Sequence, residues 1–192
     1  MAPSASSERG KEVRQQLLRA AAELIAELGW PAVSTRVLAT RAGVGPGLVH
    51  YHFTSLQALL TEAALGVMRG LADELTALLD QVRSPEEGLE LIVGGLGGHD
   101  PQDPTSRLFS EAYLAATRDA ELRHAIDELI VEFRRPLALW LDEHDVPEPE
   151  ATAAVLAAAL DGIMLHRALS PGLTAEDITR VLRRLLLAPD PR

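Results

Sequence analysis

His50 and His52 are the side chains whose type and spacing first suggest chemistry, because two imidazoles close together could ligate a metal ion. Residues two apart on a helix point to different sides, however, and the surrounding pattern predicts a helix. The polar loop with His99, Asp100 and Asp103 could bind a cation, but a solvated loop is the simpler interpretation. We therefore expect no metal site.

Other chemical motifs are weak or missing. The run GGLGG at residues 94–98 is similar to a phosphate-binding loop, but no strand precedes it and no G-K-[ST] follows. This context favours the end of a helix. The sequence contains neither G-x-S-x-G nor H-E-x-x-H, which are typical of hydrolases and zinc enzymes. We expect no catalytic residue and no cofactor.

Composition limits the class of protein. Hydrophobic residues make up 47% of the 192 residues, and cysteine is absent, which excludes disulfides and thiolate metal sites. No run of 18 apolar residues is free of charge, and residues 1–7 lack the apolar stretch of a secretory signal. These features predict a soluble, cytoplasmic protein.

Charge is distributed unevenly along the chain. The net charge is −10, yet the first 56 residues carry six Lys or Arg against four Glu, while the rest carry 12 against 24. A slightly basic head on an acidic body is compatible with a DNA-binding segment attached to a different kind of domain. Lys11 is the only lysine, and arginine suits bidentate contacts to phosphate or guanine.

Apolar residues follow helical spacing almost throughout, and strand patterns are nearly missing, so we predict an all-α fold of about nine helices. Gly29 ends the first helix, Thr54 and Gln57 fit a capping box for the fourth, and Pro136 should kink or break the seventh. The predicted helices cover about 13–28, 34–42, 46–52, 54–82, 85–98, 105–116, 119–144, 150–169 and 174–187.

Residues 34–60 carry the most specific pattern, that of a helix-turn-helix. Ala39 is small where a second helix would cross closely, and Gly43 can adopt the left-handed conformation that the turn needs. Val49 returns an apolar side chain to the shared core, which Phe53 completes. The set at this spacing predicts a helix-turn-helix that docks in the major groove of DNA.

The same stretch resembles the TetR family of transcriptional regulators. The matching residues are the T-x-x-x-L-A-x-x-A-G-V run from Thr35 to Val44, G-L-V-H-Y-H-F from Gly47 to Phe53, and Leu59. The resemblance is specific over roughly residues 10–60. It implies an N-terminal three-helix DNA-binding head, a C-terminal helical bundle, and a homodimer that represses genes until a small molecule binds.

The resemblance also implies which residues meet DNA. The N-terminus of the second helix would bind phosphate through hydroxyl and backbone N–H groups, and the third helix would reach base edges and phosphates. The predicted DNA-binding residues are Ser34, Thr35, Arg36, Pro46, Gly47, Leu48, His50, Tyr51 and His52.

Leu56 departs from the family pattern, in which Lys or Arg usually stands at the start of the fourth helix. That cation clamps a phosphate. Its absence should flatten the salt dependence of DNA binding, and the head should depend more on hydroxyl, backbone and aromatic contacts.

The body is expected to hold a dimer interface and an effector pocket. We predict a DNA-binding domain at residues 1–53 and a ligand-binding and dimerisation domain at 54–192. The predicted interface lies on the last two helices, where small residues permit close packing, although the same faces could be internal core. Its residues are Ala154, Ala157, Ala158, Asp161, Leu165, Leu169, Leu182 and Leu185.

The effector pocket should lie among helices four to eight. Few charges occur on the faces concerned, which favours a mostly apolar ligand, although many of these side chains could simply be core. Ligand binding would move the fourth helix and so change the separation of the two heads. The predicted ligand-binding residues are Met68, Leu71, Leu108, Phe109, Tyr113, Phe133, Trp140, Met164 and His166.

The leading interpretation is a sequence-specific transcriptional regulator that binds a palindromic operator and a small-molecule effector, has no enzymatic activity and does not enter a membrane. Three alternatives remain at this stage: an activator or effector-independent regulator, a helical protein-interaction module, and a catalytic protein of the same shape.

Overall fold

The computed structural model describes residues 5–79, 81–97, 103–169 and 174–186. Over these residues the chain forms nine α-helices, one short 3-10 helix and no strand, which confirms the predicted all-α fold. The helices are α1 (Ala5–Leu28), the 3-10 helix (Trp30–Ala32), α2 (Thr35–Ala42), α3 (Pro46–His52), α4 (Leu56–Leu79), α5 (Pro85–Gly97), α6 (Pro104–Ala116), α7 (Ala120–Glu143), α8 (Pro149–Leu169) and α9 (Ala175–Leu186).

Packing divides the chain into two compact units. The first consists of the residues up to Met68 together with Arg107–Ala125, and the second of Arg69–Ser106 together with the residues from Ile126 onward. Three helices, α4, α6 and α7, therefore begin in one unit and end in the other.

The first unit has a core built from α1 to α4 and the later part of α6. Leu17, Ile25 and Leu38 are completely buried, and so are Val49 and Leu59. Burial of such side chains contributes roughly 1.5–3 kcal/mol each, which is what holds the short helices α2 and α3 in place.

The second unit has a separate core. It is formed by side chains from the end of α4, from α5, α7, α8 and α9, and from the connection between α7 and α8, namely Leu79, Leu89, Ile92, Val93, Leu137, Leu141, Val146, Ala153, Leu156, Leu160, Ile178, Leu182 and Leu186. Thr174 caps α9, since its hydroxyl accepts from the N–H of Asp177 over 3.1 Å and donates to the Asp177 carboxylate.

One local prediction is wrong, and a second is wrong in part. α4 begins at Leu56, one residue later than the Thr54–Gln57 capping box requires, and the Ser55 hydroxyl accepts from the N–H of Ala58 over 3.0 Å. α7 continues through Pro136, so of the predicted kink or break the break does not occur. The apolar face beyond the proline, with Leu137 and Leu141 buried, offsets the cost of about 3 kcal/mol for a proline inside a helix.

The loop suggested as a cation site is only partly described. His99 and Asp100 lie outside the described residues, and Asp103 accepts from the N–H of Ser106 over 3.1 Å, as a helix cap does. α5 ends at Gly97, within the glycine run. No cluster of three metal-ligating side chains occurs in the described ranges. Nor does any described helix combine the length and apolar character needed to cross a membrane.

Candidate nucleic-acid interface

The helix-turn-helix is built as the sequence predicts. Ser34 is the N-cap of α2, and its hydroxyl accepts from the N–H of Val37 over 3.3 Å. α2 ends at Gly43, whose φ of +67° lies in the left-handed region. A β-carbon at Gly43 would meet nothing within 4 Å, so the backbone conformation and not the available space favours glycine there.

α3 begins with Pro46 and is held in place by its inner face. Val49 is completely buried, and Phe53, directly after the helix, is 6% exposed. The N–H of Phe53 donates to the carbonyl of Val49 over 3.0 Å. These residues specify the shape of the unit and cannot reach DNA.

The outer face of α3 is accessible. Tyr51 is 79% exposed and Leu48 is 38% exposed, so both side chains are accessible from outside the unit. His50 is exposed, and His52 is half-buried, edge-on to the Tyr51 ring at a centroid distance of 5.0 Å. Among the other predicted DNA-binding residues, Ser34, Arg36, Pro46 and Gly47 are exposed and Thr35 is half-buried.

Ion pairs occupy two of the arginines in the head. Arg41 forms hydrogen bonds with Glu27 at 2.6 and 3.0 Å and with Glu23 at 3.2 Å. The hydrogen bond from Arg41 lowers the pKa of Glu27, and the two carboxylates raise the pKa of Arg41, so the group stays charged. Arg14 donates to Glu62 over 2.6 Å and lies 4.8 Å from the centre of the Phe53 ring.

Arg36 differs from these two residues. It is exposed and makes no ion pair with any side chain that the structure describes. Of the cations on α2, Arg36 is therefore the one available to a phosphate.

The predicted ligand-binding residues are distributed over both units. Met68, Leu108, Phe109 and Tyr113 belong to the first unit, and the remaining five belong to the second. Met68 and Leu108 are buried, His166 is exposed, and the others are half-buried, namely Leu71, Phe109, Tyr113, Phe133, Trp140 and Met164.

Trp140 lines a small apolar cavity of about 20 Å³ in the second unit, together with Leu137 and Leu156. Its ring stacks on His144 at a centroid distance of 4.3 Å and lies so close to Gly88 that a β-carbon there would be 2.9 Å from the indole. Neither His144 nor Gly88 has a signal in the sequence that predicts its place beside Trp140.

The predicted interface residues differ in accessibility. Ala158 and Leu165 are exposed, while Ala154 and Asp161 are half-buried. Ala157 and Leu182, each 5% exposed, are covered by their own chain. The side chains of Leu169 and Leu185 lie outside the described residues.

A helix-turn-helix with an accessible outer face, carried by a larger set of helices, defines the class of helix-turn-helix DNA-binding regulators. Comparisons with known proteins agree. Residues 17–63 match the family described as "Bacterial regulatory proteins, tetR family", and residues 83–188 match "Tetracyclin repressor-like, C-terminal domain". The chain belongs to the TetR family. It is a DNA-binding transcriptional regulator and not an enzyme.

The relatives include regulators named BetI. The chain is 25% identical over 174 residues to the HTH-type transcriptional regulator BetI of Vibrio campbellii, covering 86% of both chains. It is 29% identical over 164 residues to BetI 1 of Chromohalobacter salexigens, covering 82% of this chain and 80% of that one.

Solved structures share the fold. A transcriptional regulator from Streptomyces coelicolor is 30% identical with a TM-score of 0.71, covering 92% of this chain and 99% of that one. A regulator from Saccharomonospora viridis, solved in complex with choline, is 22% identical with a TM-score of 0.72, covering 90% and 94%.

Proposed function

We propose that the chain is a homodimeric repressor that inserts α3 of each subunit into the major groove of a palindromic operator. The observation that carries this proposal is the contrast on α3 between buried Val49 and the exposed side chains of Leu48 and Tyr51. Leu48 would contact a thymine methyl group, and Tyr51 a phosphate or base edge. His50 and His52 extend the same surface toward the DNA backbone.

The N-terminus of α2 would position the head on the duplex. Ser34 and Thr35 bring hydroxyl groups to a helix end whose first N–H groups point outward, and Arg36 adds a charge. Contacts of this kind fix register and contribute affinity without reading sequence. Pro46 and Gly47 let the backbone of α3 approach the groove closely.

Two heads must reach successive major grooves, about 34–36 Å apart, so the proposal requires a dimer. We assign the interface to the exposed face of α8. Ala154, Ala158 and Leu165 recur at spacings of four and seven residues, which places them along one stripe. Asp161 lies beside this stripe. The domain organisation proposed with it is a DNA-binding domain at 1–53 and a ligand-binding and dimerisation domain at 54–192.

The effector that we propose is a small, mostly apolar molecule that releases the repressor from DNA. Six half-buried apolar or aromatic side chains and two buried ones support this class of ligand. The choline bound by the Saccharomonospora viridis regulator suggests that a charged class, quaternary ammonium ions, should be tested beside apolar molecules. Aromatic faces bind such cations, and Phe109 and Tyr113, whose ring centroids lie 6.4 Å apart, are the candidates. A protein that acts on chromosomal DNA in this way would work in the cytoplasm.

The test is equilibrium binding of the full chain to DNA flanking its own gene, at several salt concentrations and with unrelated DNA as competitor. Sequence-dependent binding that weakens with salt supports the proposal. Loss of binding in Tyr51→Ala would show that the DNA-binding surface includes α3. An exposed residue outside the head, Val131→Ala, serves as the control. Equal affinity for unrelated DNA would refute sequence-specific binding, and absence of binding to either DNA would favour a protein-interaction module. Addition of choline tests the effector, and a reporter gene distinguishes repression from activation.

A further inference from the structure

A chain of hydrogen bonds joins four separate parts of the first unit. The N–H of Trp30, in the 3-10 helix between α1 and α2, donates to the Glu111 carboxylate of α6 over 2.8 Å. The Trp30 indole N–H donates to the amide oxygen of Gln57, in the first turn of α4, over 3.3 Å. The Gln57 amide nitrogen donates to the Asp119 carboxylate over 2.8 Å. We name Trp30, Gln57, Glu111 and Asp119 the head clamp.

Glu111 fits closely against the connection between α1 and α2. A β-carbon on Gly29 would lie 3.2 Å from the Glu111 carboxylate, and Gly29 has a φ of +84°, so both space and backbone conformation favour glycine there. Trp30 itself is only 7% exposed. The connection between α1 and α2 is therefore held in two ways. Trp30 is buried, and its N–H binds a carboxylate that lies 81 positions later in the sequence.

Asp119 is anchored at the opposite end of the head clamp. One carboxylate oxygen accepts from the N–H groups of Glu121 and Leu122, each over 3.0 Å, and so caps α7. The other oxygen accepts from Gln57. Asp119 therefore fixes the start of α7 and the start of α4 together.

The head clamp joins the helix-turn-helix to the three helices that continue into the second unit. Gln57 belongs to α4, Glu111 to α6, and Asp119 precedes α7, while Trp30 lies four residues before the N-cap of α2. These hydrogen bonds restrict the orientation of α2 and α3 relative to α4, α6 and α7. Stability of the first unit alone would be served equally well by apolar contacts, which carry no directional preference.

We propose that the four residues of the head clamp are positioning residues that fix the orientation of the helix-turn-helix and thereby determine which separation of operator half-sites the dimer accepts. This inference rests on the proposed function. One base pair changes the separation of two half-sites by about 3.4 Å and their rotation by about 35°, so a head held at one angle discriminates between spacings. A head that can pivot does not.

The test begins with an operator that the full-length protein selects from random DNA. Operators with the same half-sites and a spacer one or two base pairs shorter or longer are then compared by equilibrium binding. We expect the unmodified protein to prefer one spacing. Glu111→Ala and Gln57→Ala should weaken binding at that spacing about five- to tenfold, the scale of one lost hydrogen bond, while binding at the other spacings changes little.

Controls separate positioning from stability. Glu111→Gln keeps an acceptor for the Trp30 N–H and should retain most of the spacing preference. Val93→Ala, in the core of the second unit, should lower Tm and leave the preference intact. Gln57 is exposed, so its replacement keeps the test valid if Glu111→Ala folds poorly.

The outcomes are distinct. An unchanged spacing preference in both alanine variants would overturn the positioning role of the head clamp while leaving the proposed function intact. An equal loss of preference in Val93→Ala would also overturn it. Failure of the unmodified protein to select any paired half-sites would overturn both proposals.

Discussion

Arg41 of α2 donates two hydrogen bonds to the Glu27 carboxylate of α1, from Nη1 to Oε1 over 3.0 Å and from Nη2 to Oε2 over 2.6 Å. This bidentate pair joins the first two helices of the head. The pair also neutralises Arg41, which is one of the six Lys or Arg residues that make the first 56 residues slightly basic. The charge available to DNA is therefore smaller than the residue count indicates, and Arg36 is the cation of α2 that remains accessible.

Arg36 and Arg41 form a matched pair of variants on one helix. We expect Arg36→Gln to reduce the slope of log affinity against log salt by about 0.9 per subunit, because one phosphate contact is lost. Arg41→Gln should leave the slope unchanged, since its charge is already compensated. Binding titrations at four or more salt concentrations measure both slopes. A larger change for Arg41→Gln than for Arg36→Gln would contradict the assignment.

Leu56→Lys should tighten DNA binding without changing the preferred sequence. Leu56 is half-buried in the first position of α4, where the family usually has Lys or Arg. A lysine there would add one phosphate contact per subunit and steepen the salt dependence by about 0.9. Titrations with the operator and with a scrambled sequence test this. Unchanged affinity, or a shift in sequence preference, would count against it.

Leu165→Asp should convert the proposed dimer to a monomer. Leu165 is 47% exposed on α8, and an unpaired carboxylate in its place would cost several kcal/mol to bury against a second subunit. Leu139→Asp is the matched control, because Leu139 is 60% exposed on α7, outside the proposed interface. Sedimentation velocity over a dilution series distinguishes the species. A Leu165→Asp protein that remains dimeric, or a folded monomer with intact operator binding, would refute the assigned interface.

Asp119→Asn should lower Tm at neutral pH and have less effect in acid. The hydrogen bond from the N–H of Leu122 lowers the pKa of Asp119 below its ordinary 3.8, and Gln57 contributes in the same direction. A lowered folded-state pKa contributes stability above pH 3.8 that is lost as the pH falls through the folded-state value. Asparagine can still cap α7, but like the protonated acid it has no charge, and its single oxygen cannot also accept from Gln57. Tm measured from pH 7 to pH 2.5 should show the two proteins converging. A constant difference would contradict this prediction.

The sequence predicts the helix-turn-helix well because its signals are local. Gly43 in the left-handed region, Pro46 at the start of α3 and buried Val49 each follow from neighbours within a few residues. The capping box of α4 failed by one residue for the same reason, since Thr54 and Ser55 are equally good caps in isolation. Gln57 is therefore not part of a capping box, and its amide group forms hydrogen bonds with Trp30 and Asp119.

Contacts between distant parts of the chain could not be predicted. Nothing near Trp30 indicates that its N–H meets Glu111, and nothing near Gly88 indicates that Trp140 lies against it. The accessibility of the predicted interface residues also depends on contacts between distant parts of the chain. Helical spacing places Ala157 and Leu182 on apolar faces, but only packing reveals that their own chain covers them.

Methylation interference on a selected operator tests major-groove docking by α3 most directly. Methylation of guanine N7 blocks contacts in the major groove, and methylation of adenine N3 blocks those in the minor groove. We predict two clusters of interfering guanines, related by two-fold symmetry and separated by one helical turn or a multiple of it, about 10 base pairs per turn. Tyr51→Ala should lose the pattern, and Val131→Ala should retain it. Interference confined to adenine N3, or the unchanged guanine pattern in Tyr51→Ala, would contradict docking by α3.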